Sequence, residues 1–96
     1  MNMTAPKYLM AYSQKQNEYH LEVTAIVLFG MVSEDGDAIY LEIRYQNYDA
    51  GIVEGDHLFL SLDEALDSSE AHFGICREHW RDLSAHEIEN IDQGIS

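Results

Sequence analysis

The chain has 96 residues, of which 18 are acidic and five are basic, so its formal net charge at pH 7 is −13. This length fits one domain, residues 1–96. The scarcity of lysine and arginine excludes nucleic acid and anionic membranes as partners. Hydrophobic residues make up 46% of the chain, which is enough for a folded core beneath an acidic surface.

The N-terminal half predicts three antiparallel strands. Apolar periodicity places them over residues 7–12, 19–32 and 38–46, with a polar turn over residues 13–18. The pair Asp35-Gly36 predicts a tight hairpin between the second and third strands, because the central positions of such a turn need positive φ. We expect Tyr8, Tyr19 and Tyr45 to lie in the sheet core.

The C-terminal half predicts an edge strand and two helices. The apolar segments 52–53 and 57–60 are separated by Glu54-Gly55-Asp56, which has the composition of a turn. Ser61-Leu-Asp-Glu is typical of a helix start, and Gly74 is placed to end that helix. Ser84-Ala-His-Glu repeats the starting pattern and predicts a second helix over residues 85–92. The first helix has an apolar stripe formed by Leu62, Ala65, Leu66, Ser69 and Phe73.

These elements predict an α+β fold, in which an antiparallel sheet of about four strands carries one main helix on a face and a short C-terminal helix. One helix covers one face only, so Ile26, Leu28 and Tyr40 are expected to form an exposed apolar patch on the other face. Either the segment around Trp80 or a second copy of the chain would cover that patch. The second possibility is a hypothesis of homodimerisation.

A metal site is one alternative for the C-terminal half. His72, Cys76 and His79 have the spacing of ligands on one helix face, and histidine with cysteine suits zinc. Gly74 argues against this site, because it is expected to break the helix between the first two ligands. No Cys-x-x-Cys pair supplies further ligands. We therefore predict no metal and no other cofactor.

A cysteine nucleophile is the corresponding enzymatic alternative. Cys76 and His79 could form a nucleophile and base, and the nearby Arg77 and Arg81 would favour a thiolate. No glycine-rich nucleophile turn or oxyanion hole accompanies them in the sequence. Among 18 carboxylates no particular acid–base pair stands out either. The expected protein is therefore not an enzyme.

The charge distribution indicates a protein-binding surface. No lysine or arginine occurs in the 28 residues between Lys15 and Arg44 or in the 32 between Arg44 and Arg77, and these stretches hold six and seven acids. Tyrosine among carboxylates combines stacking area with acceptors for arginine and lysine, as binding hot spots do. The predicted contacts with a partner are Tyr40, Glu42, Tyr48, Asp49, Glu54 and Asp56.

Part of the C-terminal half resembles a known class of proteins. The segments Ser61-Leu-Asp-Glu-Ala-Leu, His72-Phe-Gly-Ile and His79-Trp-Arg-Asp-Leu are similar to the closing helix, turn and tryptophan of small acidic immunity proteins found beside bacterial toxins. The likeness covers about a third of the chain. It implies an α+β inhibitor that binds a basic toxin, commonly a nuclease, and blocks its active site, and it carries over no catalytic residue.

Charge and resemblance together lead to one leading expectation and two alternatives. We expect a non-enzymatic inhibitor that neutralises a basic protein partner such as a nuclease toxin. The single cysteine, Cys76, and the lack of a signal-peptide pattern predict a cytoplasmic location. The first alternative is a structural homodimer or a small-ligand-binding protein whose acidity serves solubility alone. The second is a metal-dependent protein that uses the Cys/His residues.

Overall fold

The structure is a computed structural model that describes residues 5–95. Five antiparallel strands form one sheet in the order β4-β3-β2-β1-β5, and two α-helices pack on it, so the fold is α+β as predicted. The sheet has one strand more than expected, because Arg81 and Asp82 pair with β1 after the main helix. The elements are β1 (Tyr8–Tyr12), β2 (Ala25–Val32), β3 (Ala38–Asn47), β4 (Ile52–Phe59), α1 (Leu62–Phe73), β5 (Arg81–Asp82) and α2 (Ala85–Ile95), with a 3-10 turn over Arg77–His79.

The predicted hairpin joins β2 and β3. Gly36 adopts a φ of 87°, and the N–H of Ser33 donates to the carbonyl of Asp37 at 2.8 Å. The two strands pair in register from Ala25 opposite Tyr45 to Val32 opposite Ala38. This confirms the hairpin at Asp35-Gly36, but of the two central residues only Gly36 has a positive φ, so the expected turn geometry is not formed.

The second strand begins later than the sequence predicts, at Ala25 rather than at residue 19. Asn17 accounts for the difference, because its side-chain oxygen accepts the N–H of Tyr19 at 2.8 Å and its carbonyl accepts the N–H of His20 at 3.1 Å. Such local hydrogen bonds compete with strand pairing. Tyr19 is consequently 81% exposed, so its prediction as a core residue is wrong, whereas Tyr45 is buried as expected.

The fourth strand is continuous, so the turn predicted at Glu54-Gly55-Asp56 is wrong. Gly55 lies opposite Arg44 in the β3–β4 ladder. A Cβ at this position would lie 2.6 Å from Nη2 of Arg44, so the glycine permits a close approach of the guanidinium group rather than a turn. The strand is nevertheless at the sheet edge, as predicted for its second half.

Both helices begin where their capping residues predict. The Oγ of Ser61 accepts the N–H of Glu64 at 3.2 Å, and α1 ends at Gly74 with a φ of 67°. At the start of α2 the N–H of Ser84 donates to the carboxylate of Glu87 at 2.9 Å, while the N–H of Glu87 donates back to the Ser84 hydroxyl at 3.2 Å. The second helix continues to Ile95, three residues beyond its predicted end.

The main helix covers the sheet face on which an exposed patch was expected. Ile26 and Leu28 are fully buried and Tyr40 is 4% exposed, all in one cluster with Leu66 and Phe73. The expectation of an exposed apolar patch is therefore wrong, and homodimerisation through it is excluded because the chain itself covers it. Trp80 is half-buried against the same cluster, in agreement with the other possibility.

The opposite face of the sheet is covered only in part. Met10, Val27, Phe29 and other buried residues form a second cluster there, and α2 packs against it through the half-buried Ile88 and Ile91. No described residue of α2 is itself buried. Because one partly packed helix is the only helix on this face in residues 5–95, the sheet is less fully covered here than beneath α1.

Candidate functional site

The α2 groove is a space of about 830 Å³ between α2 and the adjoining face of β3 and β4. Leu41, Ile43 and Tyr45 give it an apolar floor on β3, and Val53 extends this floor onto β4. The remaining lining comes from the β3–β4 loop, β4 and α2, and consists of Tyr48, Asp49, Ala50, Gly51, Asp56, Glu87, Asn90, Ile91, Gly94 and Ile95.

The N-terminal end of α2 is held by side-chain contacts of Glu87. Glu87 accepts a hydrogen bond from the Tyr48 hydroxyl at 2.5 Å and another from Nη2 of Arg81 at 2.9 Å. Toward the other end of the helix, Ile91 is half-buried and Ile95 is exposed. The groove is therefore bordered by an anchored helix start and by a helix wall whose apolar residues become more exposed toward Ile95.

The charges of this anchor are already used within the protein. The hydrogen bond from Arg81 is the main reason that the pKa of Glu87 lies well below its usual range, and Ser84 and Tyr48 add to this effect. Burial, and then the hydrogen bond to Glu87, raises the pKa of Tyr48. At neutral pH Tyr48 is therefore protonated and donates to a charged carboxylate.

Two further carboxylates at the α2 groove are available to a partner. Asp49 and Asp56 are exposed, and neither forms an ion pair within residues 5–95. Asp56 lies opposite Ile43 in the ladder, so it faces the same side of the sheet as the groove floor. The groove thus combines apolar surface with uncompensated negative charge.

The six predicted contact residues divide between the two faces of the sheet. Three of them, Tyr48, Asp49 and Asp56, line the α2 groove. The expectation that Tyr40 and Glu42 lie on an open face is wrong, because each is only 4% exposed beneath α1. The alternation correctly predicts that these two residues share a face of the sheet, but that face is the one that the main helix covers.

The arginine cluster on the α1 side consists of Arg44, Glu42, Glu54 and His20. Nη1 of Arg44 donates to Glu42 at 3.0 Å, and Nε donates to Glu54 at 2.8 Å. Nδ1 of His20 lies 2.6 Å from the other oxygen of Glu54. The hydrogen bonds from Arg44 and then from His20 lower the pKa of Glu54. Burial alone would lower the pKa of Arg44, but hydrogen bonds to the two carboxylates raise it.

The arginine cluster is not predicted by the sequence pattern. Its one local signal is the alternation of Glu42 and Arg44 on β3, which places both on one face of the strand. The contribution of His20 and Glu54 depends on the loop before β2 and on the β3–β4 register, and neither can be obtained from periodicity.

A smaller space of about 480 Å³ adjoins the arginine cluster, and its lining includes His20, His57 and His72. The side chain of His72 contacts Ser68 at 3.1 Å. Nδ1 of His79 accepts the backbone N–H of Cys76 at 2.8 Å. No group of three or more His, Cys, Asp or Glu residues suited to a metal ion occurs among residues 5–95. The described contacts therefore give no geometric support to the Cys/His alternative.

Comparison of the chain with protein families, with characterised proteins and with solved structures yields no significant match. Neither of the helices described between residues 5 and 95 has the length and apolar character needed to cross a membrane. The α2 groove and the charge around it are therefore the features of the described residues that bear on function.

Proposed function

We propose that this chain is a non-enzymatic acidic module that captures a basic protein partner, as an immunity-type inhibitor of a basic toxin or nucleic-acid-binding protein does. The observation that carries the proposal is the α2 groove, in which an apolar floor lies beside the exposed and unpaired Asp49 and Asp56. Apolar area with charged groups at its border is the composition of protein-binding surfaces.

The distribution of cations supports attraction of a basic partner. All three arginines are paired within the chain, to five carboxylates: Glu42, Glu54, Asp63, Asp67 and Glu87. The other 13 of the 18 carboxylates form no ion pair in the described part of the protein. Their summed potential would accelerate encounter with a positively charged protein, and salt would weaken this effect.

The local fit of the α2 groove supports specificity. An arginine or lysine from a partner can lay its aliphatic stem on the floor formed by Ile43 and Tyr45 while its charge meets Asp49 or Asp56. Tyr48 adds aromatic area, and its ring packs edge-on to that of Tyr45 with centroids 5.2 Å apart. A toxin occupied in this way would have part of its basic surface blocked, which is the proposed inhibitory mechanism.

The test compares two double variants with equal changes in net charge. Asp49→Asn/Asp56→Asn removes the groove carboxylates, whereas Glu34→Gln/Asp35→Asn removes two exposed carboxylates from the β2–β3 hairpin. Each protein serves as bait for quantitative affinity capture from the native host at low salt, and the captured basic protein is then purified for binding measurements.

We expect the groove variant to bind the captured partner roughly five- to tenfold more weakly than the wild type, since rim charges are each worth up to about 1 kcal/mol. The hairpin variant should lose less than about twofold, and wild-type binding should weaken as salt rises. Equal binding by both variants, or binding that is insensitive to salt, would contradict the proposal.

A further inference from the structure

The free edge of β4 lies beside the α2 groove. The strand is at the end of the sheet and has β3 as its one neighbour among the described strands. Within residues 5–95, every backbone hydrogen bond of residues 52–59 belongs to the β3–β4 ladder. Its outward N–H and C=O groups are therefore available to pair with another extended chain.

This edge is only partly protected, by a bulge that interrupts its pairing with β3 at Glu54. The sequence Ile-Val-Glu-Gly-Asp-His-Leu-Phe contains neither lysine nor proline, and it spans eight residues. Val53 and Leu58 are about half exposed, and Leu60, just beyond the strand, is 73% exposed. The opposite edge of the sheet, β5, has only two residues and includes Arg81. The β4 edge is thus the longer of the two, and its apolar side chains lie on either side of the charged Glu54 and Asp56.

Charge decides what kind of chain fits this edge. Asp56 projects on the groove side without an ion pair, whereas Glu54 on the other side is already paired with Arg44 and His20. A second copy of this protein would bring another net charge of −13 and another unpaired Asp56 to the same edge. Like charges on neighbouring strands are destabilising. The edge therefore favours a basic occupant.

We infer that the basic partner contributes an extended segment of alternating apolar and basic residues, which pairs with β4 as a sixth strand of the sheet. This inference rests on the proposed function and specifies how its partner binds. Main-chain hydrogen bonds to β4 would supply affinity. Because successive residues of a strand face opposite sides of a sheet, the basic side chains of the segment would lie on the groove side, near Asp56 and Asp49. Its apolar side chains would lie on the other side, next to Phe59.

The test uses a blocked eight-residue peptide of alternating valine and lysine, titrated into the isotopically labelled protein at low salt. We expect the outward-facing amides of β4 to exchange with solvent at least tenfold more slowly at saturation, since they would become hydrogen-bonded. In a control peptide, the backbone nitrogens of two adjacent central residues are methylated, which removes one N–H donor from each edge of the bound peptide strand. This peptide should bind at least tenfold more weakly. A valine–glutamate peptide should not bind.

Two variants of the protein provide a matched control. Leu58→Lys and Val32→Lys each add one positive charge at a half-exposed strand position, but only Leu58 lies on β4. The first variant should weaken binding of the valine–lysine peptide at least fivefold, and the second by less than twofold.

The outcomes separate the two proposals. If the peptide does not bind, or binds without protecting β4 amides, or binds equally well after N-methylation, strand addition is overturned. Equal binding of the valine–glutamate peptide would overturn the basic occupant. The proposed function is decided independently by the capture experiment with the groove variant, so a basic partner that depends on Asp49 and Asp56 could survive the failure of strand addition.

Discussion

Replacing Arg44 by methionine tests how much the ion pair with the buried Glu42 contributes to the stability of this protein. Arg44 is the cation that neutralises Glu42, whose side chain is 5% exposed beneath α1. Methionine retains much of the aliphatic volume but leaves this carboxylate buried without a cation. Breaking a buried ion pair in this way costs about 3–5 kcal/mol. Glu54 keeps its contact with His20, so we expect a loss near the lower end, about 3 kcal/mol.

Urea unfolding at pH 7, followed by circular dichroism and by the fluorescence of Trp80, measures this loss. Arg77→Met is the matched control, because Arg77 is 62% exposed and pairs with two exposed aspartates. It should lose less than about 1 kcal/mol. The double variant Glu42→Gln/Arg44→Met should regain at least about half of the lost stability, since it removes the unpaired charge. If Arg44→Met and Arg77→Met differ by less than about 1 kcal/mol, the reasoning is refuted.

Three further predictions concern pH, packing and the covered sheet face. The pKa of Glu87 is held below its ordinary 4.5, so its contribution to stability is complete above that pH and is lost as the pH falls. In urea titrations, the free energy of unfolding should therefore decrease less between pH 7 and pH 3 for Glu87→Gln than for the wild type. Gly30→Ala should lower the free energy of unfolding by about 2–3 kcal/mol, because its Cβ would lie 2.6 Å from the carbonyl oxygen of Lys7. Gly94 has open space around it, so Gly94→Ala should be neutral or slightly stabilising in thermal melts. Leu28→Ala should cost about 2–4 kcal/mol because the residue is fully buried, while Val32→Ala should change stability by less than about 0.5 kcal/mol. Equal losses of stability in the two variants would argue against the packing of α1 on this face.

Local features of the sequence predicted most of the elements. The Asp35-Gly36 hairpin and the boundaries of α1 at Ser61 and Gly74 are confirmed, because each depends on residues that satisfy neighbouring backbone groups. The apolar stripe of α1 is confirmed as well, since four of its five residues are buried. These features involve residues a few positions apart, where one favourable conformation dominates.

Features formed across the chain were not accessible in this way. Gly55 resembles a turn residue until its position opposite Arg44 is known, and the arginine cluster brings His20 to Glu54 across 34 positions. Tyr48, Asp49 and Asp56 were predicted as contacts with a partner, but the α2 groove that they line was not predicted. The groove forms because α2 packs over only part of the β3 face, and how far α2 extends over that face is set by tertiary packing.

The sequence by itself determined the antiparallel sheet, the two capped helices and the excess of negative charge, because alternation, capping and composition are properties of short segments or of the whole chain. Only the tertiary structure decided which helix covers which face. β2 is apolar on both sides, with Ile26 and Leu28 on one and Val27 and Phe29 on the other. Periodicity therefore permits α1 on either face. Only long-range packing places it on the Ile26 side, where Arg44 neutralises Glu42 and Glu54.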